Sequence, residues 1–151
     1  MPPETLKVVP ARAREEEYVL DEQVGFQLRV AMQRHTAIFT GRMIEGLTQT
    51  QFATLAKLNE VGPCSQNQLG RLIWLDAATI KGVVDRLSKR KLVTVVGDVY
   101  DRRRHAVTLT SRGRELAAAA LSVAEEITAE TLAPLSLEEQ KQLRRLLNRL
   151  R

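Results

Sequence analysis

The chain has 151 residues, 44% of them apolar and 4% aromatic, a size and content that fit one helix-rich domain with a core better than an all-β sandwich. No apolar run approaches the roughly 18 residues of a membrane span, and the start, MPPETLKVVPARAREEE, lacks the apolar stretch of a secretory signal. The single cysteine, Cys64, excludes an internal disulfide and a cysteine-based zinc site, so a cytoplasmic protein without membrane contact is expected. The formal charge of +5 is concentrated. Between Arg71 and Arg114 stand eleven basic and four acidic residues, a local +7, while the rest of the chain sums to −2. Such a stretch suits either a phosphate-neutralising surface or a solvated charged face.

Residues 1–17 hold three of the five prolines and the run Glu15-Glu16-Glu17, which reads as a poorly ordered tail. From Leu20 to about Leu47 there is no proline and the apolar residues fall on more than one face: Leu20, Val24, Leu28, Ala31 and Ile38 on one, Phe26, Val30, Ala37 and Ile44 on another. A helix of that kind must be covered on more than one side, in a central or intersubunit position. Thr48-Gln49-Thr50-Gln51 is a capping box opening a helix with Phe52, Leu55 and Ala56 inward, stopped at Gly62-Pro63. Ser65-Gln66-Asn67-Gln68 repeats the box before a helix with Leu69, Leu72 and Ile73 inward. Asp76 caps a third, whose Ile80, Val83, Val84 and Leu87 keep i, i+3, i+4, i+7 spacing.

After Lys91 the period changes. Leu92–Val96 and His105–Leu109 read as two strands of a hairpin with a long basic tip. Thr110 caps a long helix carrying Leu116, Ala120, Val123, Ala124 and Ile127, ended by Pro134. Ser136-Leu137-Glu138-Glu139 is a capping box for a last helix with the stripe Leu143, Leu146, Leu147, Leu150. The fold class expected is mainly α with a small β-hairpin.

Two short helices at a tight Leu75-Asp76 junction, followed by a basic hairpin, form a winged helix-turn-helix whose second helix is suited to the DNA major groove. With Ile80, Val83, Val84 and Leu87 inward, Ala78, Gly82, Asp85 and Lys89 face outward, flanked by Lys81 and Arg86. Gly82 inside a helix costs about 1 kcal/mol relative to alanine, which close approach of base edges would explain and a tolerated surface glycine would also explain. At the tip, Asp101-Arg102-Arg103-Arg104 suits minor-groove insertion of Arg102 or Arg103, with Asp101 holding an arginine. The candidate DNA contacts are Ser65, Gln66, Gln68, Ala77, Ala78, Thr79, Lys81, Gly82, Arg86, Lys89, Arg102, Arg103 and Arg104.

Over residues 20–150 the chain resembles the MarR family of bacterial transcriptional regulators. The resemblance rests on Val83-Val84-Asp85-Arg86-Leu87, Asp98, Asp101-Arg102-Arg103 and Val107-Thr108-Leu109-Thr110-Ser111-Arg112-Gly113, with Leu47-Thr48-Gln49-Thr50-Gln51-Phe52 similar to the family's entry into its second helix. It implies a homodimer, a recognition helix, a wing and repression relieved by a small, often aromatic and anionic, ligand. The chain departs from the family pattern at Lys91, where glycine is common, at Val95 and Val96 in place of strand arginines, and at Gly97 and Val99 in place of wing prolines.

The expected organisation is a tail (1–17), a helical dimerisation region (18–47 and 111–151) and a DNA-binding lobe (48–110). The terminal helices carry more apolar face than one small core covers, so pairing about a two-fold axis and a palindromic operator are expected. An effector, an aromatic acid or its coenzyme A thioester, is expected between the lobes, with Arg34 or His35 for its carboxylate and Phe39 and Trp74 for its ring. Each of the four also has a plain packing or solvated role. Cys64 leaves a redox-sensing repressor as an alternative, its thiol pKa lowered by the following helix; a winged-helix protein-interaction module is another. Only two histidines, no glycine-rich phosphate loop after a strand and no metal-ligand spacing argue against an enzyme or a cofactor.

Overall fold

The computed structural model describes residues 17–97, 100–101 and 104–151. Nearly all of the expected tail, and Asp98, Val99, Arg102 and Arg103 of the hairpin tip, lie outside the described residues. The helices are α1 (Val24–Arg42), α2 (Gln49–Val61), α3 (Gln66–Leu72), α4 (Ala77–Lys89), α5 (Ser111–Leu132) and α6 (Leu137–Asn148), with strands β1 (Val93–Gly97) and β2 (His105–Leu109) between α4 and α5. The chain divides into two compact units, Met1–Gln33 and Arg34–Arg151.

In the first unit a 3₁₀ turn, Leu20–Glu22, leads into α1. Gln23 donates from its side chain to the Val19 carbonyl (3.1 Å) and Gln27 to that of Asp21 (2.9 Å), tying this entry together. Val24, Leu28, Val30 and Met32 are all exposed, as are Tyr18, Val19 and Leu20. The helix itself is shorter than the proline-free run. It stops at Arg42 because Glu45 (φ 49°) and Gly46 (φ 62°) adopt left-handed conformations that no α-helix can contain.

In the second unit the caps form where local chemistry places them. Thr48 and Ser136 close full reciprocal boxes with Gln51 and Glu139. Asp76 and Thr110 accept from the amides of Thr79 and Gly113. At Ser65 the hydroxyl accepts from the Gln68 amide (3.1 Å). Two helices end in Schellman turns without glycine: Leu75 N–H donates to Gly70 O (2.9 Å) around left-handed Trp74, and Leu92 N–H to Leu87 O (3.0 Å) around left-handed Lys91. Lys91 thus takes the conformation for which glycine is usual.

The strands pair antiparallel with Val93 opposite Leu109 and Gly97 opposite His105. Ile80, Val83, Val84 and Leu87 of α4 are buried with Leu55, Leu58, Leu69, Leu92, Val107, Leu116, Ala117, Ala120 and Ile127 in one core. Leu72 is the exception to the expected inward set of α3: it is exposed, because α3 has only two turns and buries Leu69 and Gly70 instead. Gly70 lets α3 approach the next helix, since a Cβ there would lie 3.0 Å from Leu75 O and 3.1 Å from Ile80 Cγ2. On α6 the expected stripe is not buried within the chain. Leu143 is half-buried and Leu146, Leu147 and Leu150 are exposed.

Candidate nucleic-acid interface

The α4 surface opposite the core is small and cationic. Ala77, Ala78, Thr79, Lys81, Arg86 and Lys89 are exposed, and Gly82 is half-buried, the nearest atoms to where a Cβ would stand, its own stretch of helix backbone and chain neighbours aside, being those of the Arg86 guanidinium, at 3.5 Å and beyond. Gly82 is therefore not packed into the fold. On α4 two of the expected contacts have local partners: Lys81 Nζ pairs with Asp85 (2.8 Å), and the Thr79 hydroxyl donates to Asp76 (2.9 Å). The two bonds from Thr79 hold the Asp76 carboxyl below the usual carboxylate range.

A cleft of about 930 Å³ opens between the start of α3 and the hairpin. Ser65, Gln66, Asn67 and Gln68 line one wall, Val96, Gly97, Arg104, His105, Ala106 and Thr108 the other. Arg104 is exposed and turned towards Asp101, its backbone N–H donating to the Asp101 carbonyl (3.0 Å) and its Nε lying 3.7 Å from the carboxylate. The expected role of Asp101 in holding an arginine is met by Arg104. Sequence reasoning missed His105, Asn67 and Thr108. Period-two alternation places His105 and Val107 on the same face of an ideal strand, so His105 is masked in the sequence by its register with a core residue.

The structure also divides the basic stretch. Arg90 donates to the Glu45 carbonyl (2.8 Å), and the Glu45 carboxylate lies 3.7 Å from Arg90 and 3.5 Å from Arg112. Arg114 donates to Leu109 O (3.0 Å). These three arginines tie the left-handed turn after α1 and the start of α5 into the lobe. Arg71, Lys81, Arg86, Lys89, Lys91 and Arg104 are the other described cations of the stretch, all exposed.

A smaller cavity, about 200 Å³, lies among α1, α2 and α5 of the second unit, lined by His35, Phe39, Gln49, Phe52, Ala124, Ile127 and Thr128. His35, Phe39 and Phe52 form a ladder of tilted rings with centroids 6.4 and 6.1 Å apart. His35 Nδ1 stands 2.9 Å from the Thr131 hydroxyl, and Gln49 donates to Thr36 (3.0 Å). The four expected effector residues are thus split. His35 and Phe39 line the cavity; Arg34 and Trp74 do not. Arg34 donates to the carbonyls of Thr131 (2.7 Å) and Glu130 (3.0 Å), a cation on the last turn of α5 where the helix dipole favours one. Arg42, about two turns further along α1, pairs with the side chain of the same Glu130. Trp74 is 73% exposed on the α3–α4 turn. Gln49, Phe52 and Thr128 were not singled out as ligand residues, because Phe52 reads simply as part of a helix stripe.

Cys64 is buried, its backbone paired with Val107 in an isolated bridge, and burial pushes its thiol up, opposite to the lowering a helix start was expected to give. No cluster of metal-ligating side chains occurs among the described residues, and no described helix is long and apolar enough to cross a membrane.

Residues 47–105 match the family model described as the MarR family. A solved structure of a probable transcriptional regulator from Pseudomonas aeruginosa is 54% identical, superposes with a TM-score of 0.85 and matches 88% of this chain and 100% of its own. BpsR of Bordetella bronchiseptica, whose DNA binding is regulated by 6-hydroxynicotinic acid, is 40% identical with a TM-score of 0.84 over 89% of this chain and 97% of its own. The HTH-type transcriptional repressor NicR of Pseudomonas putida is 40% identical over 134 residues, 88% of this chain and 85% of its length. With the helix order, the wing and the outward α4 face, these similarities establish that the chain belongs to the MarR family of DNA-binding transcriptional regulators.

Proposed function

We propose that the chain is a cytoplasmic, homodimeric repressor whose two winged helices grip a palindromic operator and which a single-ring aromatic carboxylate releases. The observation that carries the effector half is the His35–Phe39–Phe52 cavity: two phenyl rings to cover an aromatic ring, and an imidazole, an amide and a hydroxyl to meet a carboxylate. At about 200 Å³ it lies below the roughly 300 Å³ at which drug-sized ligand pockets begin, which favours a monocyclic acid over a coenzyme A thioester. The regulation of BpsR by 6-hydroxynicotinic acid supports the same class. Because α2 and α5 line the cavity and also pack in the core that carries α4, an acid that fits one arrangement of these helices better than another shifts the reading face.

The dimer half rests on uncovered apolar surface. The first unit exposes Leu20, Val24, Leu28, Val30 and Met32, and α6 exposes Leu146, Leu147 and Leu150. We assign both patches to contact with a second copy, the terminal segments 18–47 and 111–151 serving dimerisation and 48–110 serving DNA. Ser65, Gln66, Gln68, Ala77, Ala78, Thr79, Lys81, Gly82, Arg86, Lys89 and Arg104 are the proposed DNA contacts that the structure describes. The buried, hard-to-ionise Cys64 counts against the redox-sensing alternative.

The test is operator binding by fluorescence anisotropy, with and without 6-hydroxynicotinic acid and related single-ring acids, on wild type and His35→Ala. The reading expects one acid to raise the thermal midpoint and weaken DNA binding in wild type, with DNA binding kept and the response lost in the variant. Wild-type protein indifferent to all such acids in both assays would remove the effector assignment.

A further inference from the structure

Among the described residues lining the cleft between α3 and the hairpin, the ionisable ones are Arg104 and His105, and no carboxylate lines it. His105 is exposed, opens β2 and pairs across the hairpin with Gly97, its imidazole lying over that glycine, with Nδ1 3.6 Å from where a Cβ would stand. Opposite are the uncharged Ser65, Gln66 and Gln68. The charged groups around the imidazole among the described residues are Arg104 and its partner Asp101, 3.7 Å apart, on the tip side; α3 and β1 present none to the cleft.

We propose that His105 is a phosphate contact whose charge makes operator affinity depend on pH. The inference rests on the proposed DNA-binding function, with this cleft read as the seat of a DNA backbone strand. Polar side chains on one wall and a cation on the other suit a sugar-phosphate chain, which accepts hydrogen bonds all along its length. Histidine is the side chain that gains a positive charge between about pH 8 and pH 5. Protonated, it adds one more cation to the phosphate contacts made by the reading face; neutral, it does not. Protonation in the complex, beside phosphate, is favoured over protonation in the free protein, so by linkage DNA binds more tightly as pH falls through this range. The phosphodiester stays ionised throughout, and among the described residues no carboxylate lines the cleft.

The probe is a labelled duplex carrying the sequence that the wild-type chain enriches from a random library, with Kd measured by anisotropy at about pH 6 and about pH 8 over a series of salt concentrations. Wild type is expected to bind roughly three- to tenfold more tightly per protomer at the lower pH, about ten- to hundredfold for the dimer, with a log K against log salt slope steeper by about 1.8, one further phosphate for each of the two copies. His105→Arg should show the tight, steep behaviour at both values, and His105→Gln the weaker, shallower one at both. The same pH response in wild type and His105→Gln, alongside normal sequence-selective binding, would overturn the proposal while leaving the DNA-binding reading intact. No enrichment of any duplex by wild type would defeat both, through the reading on which the proposal stands.

Discussion

Replacing Gly82 by alanine separates what the fold needs from what DNA needs. A glycine inside a helix destabilises it by about 1 kcal/mol relative to alanine. The added methyl meets only the Arg86 guanidinium, at 3.5 Å from Nη1, an ordinary contact with the movable end of a side chain. The folded state therefore accepts it without strain, and the thermal midpoint should rise by roughly 2–4 °C for a chain of this size. On the DNA side the expectation is opposite. If the bare surface of α4 lies against base edges or backbone, the methyl occupies space the duplex needs, and the loss should resemble one mismatched base pair, about 1–3 kcal/mol. That is roughly a five- to 150-fold weaker Kd for each of the two faces of a dimer. Thermal denaturation and anisotropy on the same preparation read both effects. A raised midpoint with unchanged affinity would refute the close approach of DNA to Gly82; a lowered midpoint would show that Gly82 is packed inside, contrary to the fold described.

Three further outcomes follow from the same geometry. A Cβ at Gly113 would stand 1.9 Å from the Leu92 carbonyl oxygen and 2.9 Å from its carbon, backbone that cannot swing away, so Gly113→Ala should lose at least about 3 kcal/mol in urea denaturation, and a neutral result would contradict the junction of β1 with α5. Lys91→Gly should gain about 0.5–1 kcal/mol, because glycine takes the left-handed Schellman position without the Cβ penalty that lysine bears; a loss would mean that Lys91 contributes contacts not seen in the structure. Asp76 has its pKa lowered by the amide and hydroxyl of Thr79, so its contribution is complete above the ordinary carboxylate range and drains away as pH falls through the folded value. Between about pH 5 and about pH 3 the wild-type midpoint should fall further than that of Asp76→Asn, which keeps a capping oxygen but does not titrate; parallel curves would remove the capping carboxylate from the account.

The caps explain why so much of this fold is legible in the residues. Thr48, Ser65, Asp76, Thr110 and Ser136 each satisfy an amide three positions along the same chain, a decision made within one turn and independent of anything distant. The inward face of α4 is readable for a similar reason: its four apolar residues repeat at helix period beside charged neighbours. What escapes is set by distance or by backbone torsion. Arg34 reads as a free cation for a carboxylate ligand until the fold brings α5, some hundred residues later, to its guanidinium. Arg90 and Arg112 count towards a DNA surface by charge alone, yet both face Glu45, whose left-handed turn no propensity predicts for glutamate. Leu72 looks buried by spacing, but a two-turn helix has only one side to bury. The ligand cavity was half legible: His35 and Phe39 share a helix face, whereas Phe52 and Thr128 join them only through packing.

The proposal that two symmetry-related reading faces hold one duplex is tested most directly by hydroxyl-radical footprinting of the protein on its selected DNA, with the bound mass measured by light scattering. Two protected segments about 10 base pairs, one helical turn, apart on the same side of the duplex, occupied by a protein dimer, are the expected result. A single protected segment occupied by one chain would contradict it.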